Sequence, residues 1–240
     1  MSELKIAAKT ASPQFGKEFG AYLALPPGGA GKSGGPGLVL IQEIFGVNQV
    51  MRDLADGYAR QGYVVACPDI FWRQEPGIQI TDKTDAEWAR AFELFKGFDF
   101  ALGVEDLGAT LDALRMHPAV TGKVGAVGYC LGGNLAYQMA ARTSADAAVS
   151  YYGVGLDGLL DIAGGIKKPL LMHIAEKDGF VPPEAQAKIK AGLAGNSSVT
   201  IHVYPGQDHA FAREGGKHWN ADAAKLANAR TAEFFKANLA

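Results

Sequence analysis

The sequence predicts an α/β fold, a mostly parallel sheet with helices on both faces, from three observations. Short apolar or β-branched runs alternate with amphipathic helical windows along the 240 residues, which is the pattern of successive βα units. No linker, internal repeat or low-complexity tract interrupts that alternation, so a single domain over 1–240 is expected. Third, Lys123-Val124-Gly125-Ala126-Val127 reads as a buried strand, Gly128-Tyr129-Cys130-Leu131-Gly132-Gly133 as a sharp turn, and Leu131 to Arg142 as a helix with Leu131, Leu135 and Met139 on one face.

Each element has its own signal. Ala21–Leu25 is the first candidate strand, followed by a Gly/Pro-rich surface turn over Gly28 to Gly37 and a second strand at Gly37–Ile41. Val47, Val50, Met51, Leu54, Ala55 and Tyr58 recur at three- and four-residue steps and predict a helix before the strand Tyr63–Cys67. Residues Pro68 to Phe100 exceed an ordinary crossover and carry Phe71, Trp72, Trp88, Phe92 and Phe95. That excursion reads equally as a lid over the strand ends or as core packed under a loop. Val104, Leu107, Leu111 and Leu114 predict the next helix, with Pro118 just beyond as a stop. After the strand Val124–Gly128 and its helix come strands at Ala147–Tyr151, Leu170–Ile174 and Val199–Tyr204 and a last helix from about Ala221 to Asn238.

Composition narrows the function. The net charge of −2 is dispersed, so no basic face suggests nucleic acid or an anionic membrane. No apolar run approaches the ~18 residues of a membrane span, and Met1-Ser2-Glu3-Leu4-Lys5 lacks the apolar stretch of a signal peptide. The two cysteines, Cys67 and Cys130, form neither a disulfide framework nor a zinc site of the CxxC kind. A cytoplasmic protein is expected.

Chemistry concentrates just past the predicted carboxyl ends of strands, where open α/β sheets bind ligands. Cys130 stands where α/β-hydrolases carry a serine nucleophile, on a strained turn that calls for Gly128 and Gly132. At a helix N-terminus, free N–H groups and the macrodipole favour its thiolate; the plainer alternative is an inert buried cysteine. Asp178 follows Leu170–Ile174 in an Asp-Gly turn, and His209 follows Val199–Tyr204 in a Gly-containing loop. Either type is common in turns without a catalytic task. Their order, Cys130…Asp178…His209, is the nucleophile–acid–histidine order of α/β-hydrolases. The other histidines, His117, His173, His202 and His218, lack that order and placement and read as structural. The N–H of Leu131 is the expected oxyanion donor, with Ile44 in the early strand–helix loop as the second. No metal-ligand cluster or phosphate-binding glycine motif is present, so neither metal nor cofactor is expected.

At these residues the chain resembles the dienelactone hydrolases (carboxymethylenebutenolidases) of the α/β-hydrolase superfamily. The segments carrying the resemblance are Gln42-Glu43-Ile44-Phe45-Gly46-Val47-Asn48, Cys67-Pro68-Asp69, the Cys130 hexapeptide, Tyr151-Tyr152-Gly153-Val154-Gly155, Asp178 in its K-D-x-x-V-P context, and His209-Ala210-Phe211-Ala212-Arg213. The resemblance implies hydrolytic opening of an enol-lactone ring, giving maleylacetate from the parent dienelactone; a monomer acting on a small lactone or ester is expected. It implies that Glu43 holds the resting cysteine as a neutral thiol and that Tyr152 and Arg213 contact substrate. The family grips its substrate carboxylate with two arginines. Arg213 matches one; gapless alignment from Gln74-Glu75-Pro76-Gly77 puts Trp88 at the other and Phe92 at an expected tyrosine. Arg90, two residues further along a helix, would point elsewhere. A weaker preference for anionic substrates is therefore expected, with a broader esterase or thioesterase as one alternative and a non-hydrolytic thiol redox or binding protein as another.

Overall fold

The computed structural model describes residues 2–28 and 34–239. The chain divides into two compact units, Met1–Gly125 and Ala126–Ala240. In the first unit β1 (Ser2–Ser12) and β2 (Gly16–Ala24) form an antiparallel hairpin, β4 (Val64–Pro68) runs antiparallel to β2, and β3 (Gly35–Ile41) runs parallel to β4. The order is β1-β2-β4-β3-β5, where β5 spans Val120–Tyr129. Strand β1 is absent from the sequence reading. Its inward side is Ile6 and Ala8, and its other side is exposed with Lys5 and Lys9, a weakly apolar pattern fit for a sheet edge. Part of the turn expected over Gly28 to Gly37 lies outside the described residues; its end is the start of β3.

Helix α1 (Gln49–Arg60) is capped by Asn48, whose Oδ1 accepts from Met51 N at 3.2 Å while its Nδ2 donates to the Ile80 carbonyl at 2.9 Å. Part of the excursion has the core character expected of it. Phe71 and Trp72 are core, with Trp72 stacked on Phe19 at 5.3 Å. Beyond them lies α2 (Asp85–Lys96), a helix the periodicity did not reveal. Thr84 accepts from Glu87 N at 3.2 Å and donates to Glu87 Oε2 at 2.8 Å, a capping box whose T-x-x-E spacing was available in the sequence. Helix α3 (Phe100–Met116) starts at the Asp99 cap and ends before Pro118 as expected.

In the second unit the end of β5, β6 (Ala148–Tyr151), β7 (Leu170–Ala175) and β8 (Val199–Tyr204) pair in parallel in that order. Strands β6 and β7 are buried at every residue, which requires cover on both faces. Helices α4 (Leu131–Arg142), α5 (Pro183–Leu193) and α6 (Ala221–Leu239) complete the unit. Helix α5, absent from the sequence reading, opens with Pro183 at a first-turn position where no N–H is needed. A mostly parallel sheet flanked by helices is thus observed as expected.

One buried polar cluster holds the first unit. Asp106, fully buried on α3, accepts from Trp72 Nε1 at 2.8 Å, Arg73 Nε at 2.8 Å and an Arg73 terminal nitrogen at 2.7 Å. Removing the carboxylate strands a buried indole N–H and a largely buried cation. Asp106→Ala should therefore lower unfolding stability by about 3–5 kcal/mol, measured by urea denaturation; a loss below about 1 kcal/mol would mean the cluster is dispensable.

Candidate active site

The turn between β5 and α4 is forced by close backbone approach. A Cβ on Gly128 would lie 1.9 Å from the Gly132 carbonyl oxygen, so the first turn of α4 passes directly over the end of β5. Gly133, which the sequence reading did not single out, is equally constrained: its Cβ would lie 2.5 Å from the Tyr151 carbonyl oxygen. Between them Cys130 adopts φ 58° and ψ −115°, a conformation that costs a side-chain-bearing residue about 1–3 kcal/mol. Cys130 N donates to the Tyr151 carbonyl at 3.1 Å, and the Cys130 carbonyl accepts from Asn134 N at 3.1 Å. Leu131 begins the helix, so its N–H belongs to the first turn, where intrahelical acceptors are missing.

His209 and Asp178 meet in the same unit. Nδ1 of His209 lies 3.0 and 2.9 Å from the two Asp178 oxygens, and both side chains are buried. The carboxylate only accepts, so Nδ1 carries the proton. Asp178 is held in turn by Phe180 N, which donates to Oδ1 at 2.9 Å. The imidazole is flanked by the rings of Tyr152 at 5.1 Å and Phe180 at 4.8 Å, both edge-on. Nothing in the sequence had marked Phe180. Nε2 of His209 is buried and has no hydrogen-bond partner among the described residues. Burial pulls the pKa of this imidazole down, but the Cys130 sulfur and the Asp178 carboxylate outweigh it and push it up to about 10. The structure thus brings Cys130, His209, Asp178 and Tyr152 together. Arg213 lies four residues beyond His209 in the same loop, its N–H donating to the Ala210 carbonyl at 2.9 Å.

The remaining candidates belong to the first unit. Glu43 and Ile44 follow β3 and are buried. Trp88 packs edge-on against Phe45 at 5.1 Å and stacks on Phe92 at 5.5 Å, and its Nε1 donates to the Asp82 carbonyl at 2.9 Å. Phe92 is 45% exposed. Arg90 is engaged by two carboxylates, those of Glu75 and Glu93. Cys67 is fully buried on β4, and burial with neighbouring Asp69 pushes its thiol far above the ordinary range. Among the described residues no group of three or more His, Cys, Asp or Glu side chains could hold a metal ion, and no helix is long and apolar enough to cross a membrane.

A family model described as the dienelactone hydrolase family matches residues 19–239. The chain belongs to that family. A relative from Azospirillum brasilense, named only provisionally as a carboxymethylenebutenolidase, is 57% identical over 227 residues, covering 92% of this chain and 94% of its own. The carboxymethylenebutenolidase of Pseudomonas putida is 40% identical over 219 residues, 91% of each chain. A crystal structure from Klebsiella pneumoniae subsp. pneumoniae, provisionally named a dienelactone hydrolase, matches with a TM-score of 0.81 at 27% identity, covering 98% of this chain and 99% of that one. As a member of this family the chain is a hydrolase of ester or lactone bonds on the α/β-hydrolase fold.

The His209 pKa gives a signed test. A folded-state value raised above the ordinary 6.5 to about 10 contributes stability that is complete below pH ~6.5 and is lost as pH rises through 10. With the Cys130 sulfur ionised, histidine NMR should find His209 protonated at pH 7.5 and titrating near 10. Because Cys130 is the largest raising influence, Cys130→Ala should move that titration down; a value unchanged by the substitution would mean that the sulfur does not act on the ring.

Proposed function

We propose that the protein is a cysteine-dependent hydrolase that opens enol-lactones of the dienelactone type through an acyl-enzyme on Cys130. The observation that carries this reading is the buried His209 ring, bonded through Nδ1 to Asp178 and raised in pKa by Cys130 at the strained β5–α4 turn. Relatives named carboxymethylenebutenolidase support the substrate class.

The reaction follows from these groups. The Cys130 thiolate attacks the lactone carbonyl, and charge develops on the carbonyl oxygen, for which the Leu131 N–H is the donor from this unit. Collapse breaks the ring C–O bond, and the His209 imidazolium hands its Nε2 proton to the departing enolate oxygen. The enol tautomerises to the ketone while the acyl group stays on sulfur. Water then attacks the thioester with His209 as base, releasing the acid, which ionises in solvent, and restoring the thiolate–imidazolium pair. Asp178 holds the ring in one tautomer throughout. Arg213 and Tyr152 are assigned to the substrate, Arg213 to its carboxylate. The roles of Glu43 as keeper of the resting thiol, Ile44 as second oxyanion donor, and Trp88 and Phe92 as substrate contacts rest on the family resemblance. The reading includes a single-domain monomer that needs no cofactor or metal, in a reducing cytoplasm that suits two unpaired cysteines.

A second reading, a broader esterase or thioesterase, is favoured by one observation. Arg90, the residue best able to replace the missing arginine, is already bound to Glu75 and Glu93. A thiol redox protein is disfavoured by Cys67, whose buried thiol resists the ionisation that a resolving cysteine needs.

Cys130→Ala should abolish turnover with unchanged circular dichroism, and rapid quenching of wild type should trap a substrate-mass adduct on the Cys130 peptide. Wild-type rates in that variant would sink the assignment. For specificity, one charge-assisted clamp is worth about 1.5–3 kcal/mol, or roughly 10- to 150-fold. Trp88→Arg should therefore raise the preference for a carboxylate-bearing lactone over its methyl ester by a factor in that range. A wild type that already prefers the acid strongly, with no gain in the variant, would contradict the assignment of Trp88.

A further inference from the structure

The second unit buries another histidine, which the proposed chemistry does not use. His173 sits within β7 and is fully buried. Its Nδ1 lies 2.7 Å from the Tyr204 hydroxyl on β8, and its Nε2 lies 2.9 Å from Thr231 Oγ1 on α6. Thr231 Oγ1 is 2.6 Å from the Tyr151 hydroxyl on β6, which donates to Asn228 Oδ1 at 2.9 Å. Each hydroxyl has a single proton, so one end fixes the direction of the whole chain. Tyr151 gives its proton to Asn228 and must accept from Thr231. Thr231 must then accept from His173 Nε2–H, and Nδ1 remains as the acceptor for the Tyr204 hydroxyl. Arg230 stands at that end, 5.4 Å from the Tyr204 ring centroid. An imidazolium would present two donors and break the sequence at Tyr204. Burial, with neighbouring His202 and Arg230, pulls the His173 pKa down to about 3, so the neutral ring persists.

The network ends on the strand that borders the candidate nucleophile. The Tyr151 carbonyl accepts from Cys130 N at 3.1 Å. The His173 carbonyl accepts from Tyr152 N at 2.8 Å, at a residue with φ 37° whose ring packs on His209. The rings of Tyr129 and Tyr151 stack at 4.6 Å, and those of Tyr151 and His173 lie 4.3 Å apart. His173 therefore grips the carboxyl end of β6 twice, through its ring to Tyr151 and through its backbone to Tyr152.

We propose that His173 is a positioning residue whose neutral, Nε2-protonated ring, held between Tyr204 and Thr231, fixes the end of β6 and with it the placement of Cys130 against His209. This rests on the reading of Cys130 as nucleophile. It assigns no reacting atom to His173, so its signature is geometric. Cys130 and His209 should remain present but lose their alignment when the ring loses its hydrogen bonds.

His173→Phe keeps a ring but neither hydrogen bond, whereas His173→Gln can still accept at Oε1 and donate at Nε2. Three quantities are measured on each purified full-length variant: kcat and KM for a lactone, the pH profile of Cys130 alkylation by iodoacetamide, followed on the Cys130 peptide by mass spectrometry, and the melting temperature. Misalignment of reacting groups lowers rates on the order of 10- to 100-fold. A fall in kcat of that size is expected in His173→Phe, with KM nearly unchanged and a displaced alkylation profile; the glutamine variant should recover most of both. A folded His173→Phe with wild-type kcat and alkylation profile overturns the proposal, as does a glutamine variant no better than phenylalanine. Should His173→Phe fail to fold, Tyr151→Phe cuts the same chain by one hydroxyl, and an unchanged alkylation profile there overturns it equally. Alkylation of Cys130 is read independently of hydrolysis. A wild-type rate in Cys130→Ala would thus remove the nucleophile reading without being mistaken for a result on His173.

Discussion

The contact between the end of β5 and the first turn of α4 is the constraint on which the site depends. Glycine at 128 lets the Gly132 carbonyl come within reach of the strand, and glycine at 133 lets the same turn settle on the Tyr151 carbonyl of β6. With both approaches satisfied, the single residue between strand and helix has no ordinary backbone conformation left. Cys130, at the head of the helix, takes up the strain. Ser150 fastens the arrangement, its hydroxyl donating to the Gly133 carbonyl at 2.8 Å. The strain is affordable because α4 is almost wholly buried, and packing of that helix against β6 over-determines the turn.

Once the sulfur is fixed, the remaining chemistry is a matter of which acceptors and donors the neighbouring loops deliver. The loop after β7 brings Asp178, and the loop after β8 brings His209, because parallel strands place all their carboxyl ends on one edge of a sheet. The two loops are also tied to each other away from the ring. Gly179 N donates to Asp208 Oδ1 at 3.2 Å, and Lys177 N donates to the Gln207 carbonyl at 2.7 Å. The Asp178–His209 hydrogen bond is therefore one of several between these loops, and its geometry does not depend on two free side chains finding each other.

What was legible in the sequence is what local signals carry. The Cys130 turn, the parallel strands and the chain order of Cys130, Asp178 and His209 all rest on short patterns. Strands β6, β7 and β8 were located to within a residue, β6 and β7 as buried, largely apolar runs and the partly exposed β8 from its β-branched residues Val199, Thr200, Ile201 and Val203. The misses share a different cause. β1 is half-exposed and presents small residues inward, so its alternation was faint. α2 buries only Ala91 and Leu94, too little for a helical stripe, although its capping box was present. Gly133 matters through a carbonyl 18 residues away, and Asp106 looks like a surface acid on a helix until Trp72 and Arg73 arrive from another segment. Arg90 was doubted on helical direction; its engagement by Glu75, from the loop 15 residues earlier, could only be seen in the fold.

Two histidines of the second unit show why residue type and burial together still do not determine chemistry. His173 and His209 are both buried, and burial alone would lower both pKa values by disfavouring the charged ring. His173 faces two hydroxyls and feels His202 and Arg230, so nothing offsets the desolvation and its pKa falls to about 3. His209 is bonded through Nδ1 to a carboxylate, and with that carboxylate and the Cys130 sulfur acting on it its pKa climbs to about 10. The same side chain is held neutral between two hydroxyls in one place and has its charged form favoured beside a carboxylate in the other. The difference arises in the partners, which come from strands and loops distant in the chain. A titratable group in a sequence becomes a chemical group only when the fold supplies its neighbours.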